Sequence, residues 1–341
     1  MGIHVTPAPG VGSALVHDVT DPAFGAKGNG TDEDTAAIVA AIAAAKATRG
    51  IVYFPPGTYI TQPLQIPGGV HLMGVTGTKW GTHALASELK LKAGSTSPLI
   101  SPDDSPTKAC EVHLSGLYLN NNSVAQSCIS LPDQGAYVGR IWHIEDCSVI
   151  GTTGASSRGI YIGNQNTACV IERCTVSKTG TREGNGIHVY GSDSTVLDCW
   201  VTGWDVGIYA DGGDSDEYLQ VRGGGTFTNT MGVAVGGMGA MFSHVSIDHN
   251  YNDGAFVVKD CVFFGCWFHT NSRQTANTWA NIHQQGTPKI GLFGCRATPH
   301  AGETAYDPAY MIYSTGGGVN IVDQGTQVAA GVTWGTGYKN Y

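Results

Sequence analysis

The densest group of carboxylates in the chain runs through Trp204-Asp205 and then Asp211-Gly-Gly-Asp214-Ser-Asp216-Glu217-Tyr218. Crowded carboxylates raise one another's pKa, which keeps a proton on one of them near neutrality. A protonated acid beside an ionised base or nucleophile is the pair that breaks a glycosidic bond. Asp211 and Glu217 are the expected pair, with Asp205 and Asp214 as substitutes. Asp211 follows Tyr209 by two residues, so on a strand the two face the same way. Gly212-Gly213 lets the chain fold back so that Asp214, Asp216 and Glu217 approach that face. The same composition also suits a solvated loop or a weak Ca2+ site.

A second signature places rings beside these carboxylates. It reads Gly159-Ile-Tyr-Ile162, Gly186-Ile-His-Val189, Gly207-Ile-Tyr-Ala210, Gly232-Val-Ala-Val235 and Gly254-Ala-Phe-Val257. Strand alternation sends the aliphatic residues inward and Tyr161, His188, Tyr209, Ala234 and Phe256 outward. Stacked in successive strands, these form a ladder suited to the apolar faces of sugar rings. Tyr161, His188, Tyr209 and Trp204 are therefore the expected substrate-binding residues, with His188 a stacking or hydrogen-bonding group rather than a base. The competing reading is a ladder packed under a loop or against another subunit.

The elements that hold these residues follow from a third pattern: Ile144-Glu-Asp-Cys147-Ser-Val149, Ile171-Glu-Arg-Cys174-Thr-Val176 and Val196-Leu-Asp-Cys199-Trp-Val201. The cysteines are 27 and 25 residues apart, and looser copies extend in both directions. An apolar signature at this period marks a solenoid. Its short, glycine-punctuated, β-rich units with no helical period indicate a parallel β-helix. Forty-nine glycines and only 13% charged residues in 341 agree with many tight corners. Cys147, Cys174, Cys199 and Cys261 are read as small buried residues in one slot of successive coils. The C-x4-C pairs lack further ligands at suitable offsets, so no metal and no cofactor is expected. Glu145/Glu172 and Asp146/Arg173/Asp198 read as structural ladders at a bend. Asp248, His249, Asn250 and Asp253 form a second polar turn. The net charge of −9 excludes a nucleic-acid binder, which needs a basic stripe. Free buried thiols and a start without basic or apolar leader regions suit assembly in a reducing cytoplasm. No apolar run approaches a membrane span.

The chain divides into an N-terminal arm (1–20), a β-helix with a helical cap at about 34–48 (21–298) and a last coil with a C-terminal cap or oligomerisation segment (299–341). The helix rests on Ala36–Ala47 with Ile38, Val39 and Ile42 as its apolar face, acidic residues at its start and Gly50 as its stop. Such a helix covers the open end of a solenoid. Phe24-Gly-Ala-Lys-Gly-Asn-Gly-Thr31-Asp-Glu-Asp34-Thr-Ala-Ala-Ile38 followed by Gly50-Ile-Val-Tyr-Phe54-Pro-Pro-Gly57-Thr-Tyr59 resembles the opening motif of the pectate-lyase-like superfamily of right-handed β-helices. The resemblance covers residues 24 to about 60 closely and the rest in repeat character only. It implies an all-β, single-stranded right-handed parallel β-helix and a polysaccharide substrate. Among the superfamily's members the chain looks most like a phage tailspike depolymerase. That implies a homotrimer on a phage virion tail, attached to other tail proteins through its N-terminal arm, and glycoside hydrolysis of a bacterial surface glycan. A secreted or cell-surface bacterial protein is the other location. The NTD, DD, GHG and RIK motifs of polygalacturonases are absent, so no mechanism carries over. Two further readings stand beside hydrolysis. One is a glycan-binding tail or adhesin protein without catalysis. The other is a polysaccharide lyase, which needs groove cations, here chiefly Arg182, Arg222 and Lys259.

Overall fold

A computed structural model describes residues 15–75, 85–103, 111–124, 127–133, 141–152, 154, 156–164, 166–191, 193–212, 218–237, 239–271, 280–298, 310–315 and 320–328. The chain winds as a right-handed parallel β-helix. Ten coils contribute one strand to each of three parallel sheets, as in Val170–Glu172 (sheet A), Thr175–Ser177 (sheet B) and Asn185–Val189 (sheet C), and the first and last described coils lack the sheet C strand. Sheets A and B have 12 strands each and sheet C has 10.

Stacking without slippage follows from the interior. Inward residues repeat in register, as in Ile160, Ile187, Ile208 and Val233 on sheet C and Val149, Val176 and Val201 on sheet B. All are buried in one continuous core. A one-residue slip would turn this whole set to solvent, which fixes the register.

Corners repeat as faithfully as strands. The bend from sheet A to sheet B places a residue at positive φ in successive coils of the middle region, among them Asp146 (50°), Arg173 (51°), Asp198 (51°) and His244 (56°). Just beyond it stand Cys147, Cys174 and Cys199, then Cys266 and Cys295. Their thiols donate to core carbonyls, Cys174 Sγ to Glu172 O at 3.2 Å and Cys266 Sγ to Phe242 O at 3.3 Å. The eight described cysteines are free and buried. Cys261, expected in that slot, instead pairs with Ala240 and Ile290 inside sheet A, and Cys266 fills the corner. The bend from sheet B to sheet C is spanned by buried Asn229, Asn250 and Asn271. Each amide bonds to the next, Asn229 Nδ2 to Asn250 Oδ1 (3.3 Å) and Asn250 Nδ2 to Asn271 Oδ1 (2.9 Å).

The cap is the helix Thr35–Thr48, with Ile38, Ala41, Ile42 and Ala45 buried against the first coil. Val39, assigned to the apolar face, is half exposed. Asp34 precedes the helix but caps the preceding loop instead. Its carboxylate accepts from the backbone N–H of Lys27 (2.7 Å) and Gly28 (3.1 Å). Arg49, not Gly50, adopts the left-handed conformation at the helix end. Gly50 is required for room, because a Cβ there would lie 2.5 Å from Leu15 O. Val16–Asp18, within the segment read as an arm, forms the first strand of sheet A. At the other end Tyr310–Thr315, Asn320–Gln324 and Gln327–Val328 continue the three sheets. Trp334 and Tyr338, read as part of the end cap, lie outside the described residues. Among the described residues no helix is long and apolar enough to cross a membrane.

Candidate functional site on the outer face of sheet C

Sheet C carries the ring ladder in the expected order. Tyr161, His188, Tyr209, Ala234 and Phe256 are consecutive register partners, and His283 and Tyr313 extend the row. His188 stacks on Tyr209 with centroids 4.8 Å apart and meets Tyr161 at 5.2 Å with the rings tilted by 59°. The row is not uniformly open. Tyr161 and His188 are largely covered, whereas Tyr209 and Phe256 are half-buried.

What covers the first half is a polar network. Arg158 lies over the Tyr161 ring, 4.1 Å from its centroid, and its Nε donates to His188 Nδ1 at 2.8 Å. Asn185 Nδ2 also donates to that nitrogen (3.2 Å). Nδ1 is therefore the acceptor, and the proton of the neutral ring sits on Nε2, which donates to Asp211 Oδ2 at 3.1 Å. Burial pushes the His188 pKa below its ordinary value, and the Arg158 cation adds to this, while Asp211 opposes it. With both nitrogens engaged, His188 is a bridge rather than a free base. The Tyr161 hydroxyl donates to Asp133 Oδ1 (2.8 Å), which also accepts from Asn164 N (2.6 Å). Burial first, then Asp133, raises the Tyr161 pKa, so its phenol stays protonated. Burial and Asp211 do the same to Tyr209.

The carboxyl groups fall as follows. Asp211 is in the network, with its side chain 31% exposed. Asp205 precedes the strand Val206–Ala210 and Asp211 follows it, so strand rise separates them by roughly 20 Å. That is too far for a pair acting on one bond, and Asp205 is withdrawn as a substitute. Asp214, Asp216 and Glu217 lie outside the described residues. Asp133 is the second carboxylate at the Tyr161–Tyr209 half of the ladder, three coils before Asp211. The backbone separation is roughly 14 Å at about 4.8 Å per coil. Asp133 bonds to Tyr161 and Asp211 to His188, the rings of adjacent coils, so at one to two coil spacings the carboxyl groups are roughly 5–10 Å apart. That is the range in which carboxyl pairs cleave glycosides.

Trp204 departs from expectation. It is fully buried, its Nε1 donating to Val176 O (3.3 Å) and its backbone N–H to Asn229 Oδ1 (2.9 Å). Its indole occupies room left by Gly159 and Gly186, where a Cβ would come 3.1 and 3.0 Å from the ring. It packs the corner and has no face for a sugar.

Arg158 and Asp133 escaped the sequence reading for a physical reason. Gly159 faces the interior, against Val176 and Trp204, and so does Ile160. Two consecutive inward residues break the alternation and bring Arg158 outward, where period-two counting does not place it. Asp133 closes a coil without the Gly signature, where Ser130 holds the ladder position.

Farther along, buried Asp253 accepts from His283 Nδ1 (3.0 Å) and Ala280 N (2.9 Å). It is separate from Asp248, which sits on sheet B between His249 and His269, and from Asn250 in the internal ladder. Arg182 and Arg222, read as groove cations, lie elsewhere. The first covers the Tyr251 ring (3.3 Å) and the second is on sheet A.

Among solved structures, the A-module of the Azotobacter vinelandii mannuronan C-5 epimerase AlgE6 is 17% identical at a TM-score of 0.65. The match covers 95% of this chain and 100% of that one. The enzymatically active domain of bacteriophage CBA120 tailspike protein 2 is 13% identical at 0.70, covering 91% of this chain and 47% of that one. DFA-IIIase from Arthrobacter chlorophenolicus A6 without its lid is 16% identical at 0.59, covering 95% and 94%. At these identities the likeness is one of fold. No curated protein matches the chain. Residues 18–292 match the family described as rhamnogalacturonase A/epimerase, pectate lyase-like, and the match spans most of the coiled region and its cap. The chain belongs to this family of pectate lyase-like β-helices.

Proposed function

We propose that the chain cleaves glycosidic bonds of a polysaccharide laid along sheet C, with Asp211 and Asp133 as the carboxyl pair. The observation that carries this reading is the placing of the two carboxylates at either end of the Tyr161–His188–Tyr209 ladder, each held by a hydrogen bond to a ring of that ladder. Tyr209 and Phe256 offer part-exposed ring faces for sugars, and Arg158 supplies a cation and donors over Tyr161 and His188. Likeness to a mannuronan C-5 epimerase module and to the enzymatically active domain of a tailspike protein supports a carbohydrate polymer as substrate. The tailspike likeness also supports a homotrimer on a phage tail acting on a bacterial surface glycan.

Arg158 favours a second reading, elimination or epimerisation of a uronate, because it adds the carboxylate-neutralising cation that such chemistry needs. Product analysis separates the two. The protein is incubated with bacterial surface polysaccharides, uronate-rich and uronate-free. New reducing ends formed without any unsaturated uronate support hydrolysis. Unsaturated uronate ends, or inverted uronates without chain cleavage, support the second reading. Retention of the glycan with no new product assigns a binding protein instead.

A further inference from the structure

On sheet A, far from the ring ladder, three histidines stack along successive coils: His71, His113 and His143 are register partners. Their rings lie 4.0 and 4.6 Å apart, parallel within 10° and 3°. They line an open groove of about 330 Å³ with Glu111 and Ile141. Glu145 is two residues beyond His143 and so on the same face. We propose that His113, His143 and Glu145 bind a divalent cation of the zinc class, with solvent completing a tetrahedral shell.

Four observations carry this. The ligand atoms of the three residues all lie within 4.8 Å of one another. The Nε2 atoms of His113 and His143 are shielded from solvent and make no aligned hydrogen bond, although His113 Nε2 is 2.8 Å from Glu145 Oε1 and His143 Nε2 is 3.4 Å from Glu172 Oε1. Proximity without alignment leaves both nitrogens with unused capacity. Arg173 Nη2 holds Glu145 Oε2 at 2.8 Å, which turns Oε1 towards the histidines, as outer groups orient metal ligands. Finally, Glu145, Asp146 and Glu172 surround a single guanidinium, with Arg173 to Asp146 at 2.9 Å and to Glu172 at 2.7 Å. Three carboxylates against one fixed cation leave two negative charges, the complement of a divalent ion. Two imidazoles and one carboxylate are the donor set of a borderline cation rather than Ca2+ or Mg2+.

The ligands stand on adjacent strands of a rigid sheet. Zn–N and Zn–O bonds are about 2.0–2.2 Å, so binding tips the two stacked rings from parallel until both Nε2 atoms reach one point. The ion clips two coils together and stabilises the folded chain by mass action.

The test uses the full chain, freed of metal by a chelator. Zn2+ is titrated calorimetrically and Co2+ by its visible absorption, for wild type, His143→Gln, Glu145→Gln and, as control, Asp248→Asn in the sheet B cluster. The expected result is one equivalent bound, a tetrahedral Co2+ spectrum and a melting temperature raised by a few degrees at about 100-fold excess over Kd. Binding weakens at least tenfold in both sheet A variants and persists in Asp248→Asn. Should a variant fail to fold, imidazole nitrogen spectra of the wild type decide, because Zn2+ must shift two Nε2 resonances together. No stoichiometric binding, no paired shift, or full binding in both sheet A variants overturns the proposal.

Discussion

His188 is held neutral between an arginine and a carboxylate, and its acid behaviour follows from that position. Its folded pKa lies below the unfolded value near 6.5. As pH falls below about 6.5 the unfolded chain takes up a proton that the folded chain refuses. The stability contributed by the neutral ring is therefore present above that pH and is lost as pH falls towards the depressed folded pKa. Urea unfolding at descending pH should show this loss, and His188→Gln should flatten the acid side of the curve. An equally steep acid loss in the variant would assign it to other groups. Arg158 acts through the same atoms. Arg158→Met should leave the fold within about 1 kcal/mol of wild type, since the residue is partly exposed, while lowering turnover at least tenfold. At this scale Asp211 and the ring row were legible because period-two alternation holds from Ile160 onward. Arg158, Asp133 and buried Trp204 were not, because the inward Gly159 and the corner at Asn229 obey tertiary packing instead.

Corner ladders and glycine columns set the coil shape, and substitutions in them should cost more than their size suggests. Asn250 makes hydrogen bonds to Asn229 N, Asn229 Nδ2, Thr226 O and Asn271 Oδ1. Asn250→Leu strands these buried groups, and a loss of about 2–4 kcal/mol is expected, at 1–3 kcal/mol per unsatisfied group with partial relaxation. Chemical denaturation measures it, and a cost below about 1 kcal/mol would show that the ladder is not structural. A Cβ at Gly186 would lie 2.2 Å from Val201 Cγ1 and 2.7 Å from Gly207 O. Gly186→Ala should thus destabilise by about 1–3 kcal/mol or more, although its φ is ordinary. Sequence spacing revealed the cysteine corner through its fixed apolar pattern. It misplaced Cys261, because Val258-x-x-Cys261-x-Phe263 and Phe263-x-x-Cys266-x-Phe268 both fit that pattern and only the strand register tells them apart. The asparagine ladder was invisible, since Asn229, Asn250 and Asn271 look like ordinary turn residues until stacked.

Across the whole molecule, one uninterrupted core and a helical cap make each coil depend on its neighbours, as in other solenoids. The opening motif was legible because the loop it builds is closed locally, by Asp34 on Lys27 and Gly28. Chemistry was less legible, because the site gathers residues from four coils. The eight described cysteines are buried thiols, so a thiol reagent should label them only on unfolding, and reductant should leave the melting temperature unchanged. Rapid labelling of these thiols in the folded protein would contradict the packing. The proposed cleavage of a glycan on sheet C by Asp133 and Asp211 belongs to this scale. Its most direct test is reducing-end release from bacterial surface polysaccharides by wild type, Asp133→Asn and Asp211→Asn, with circular dichroism confirming the fold. Release by wild type and a loss of about 10²-fold or more in each variant are expected. Undiminished release by both folded variants would contradict it.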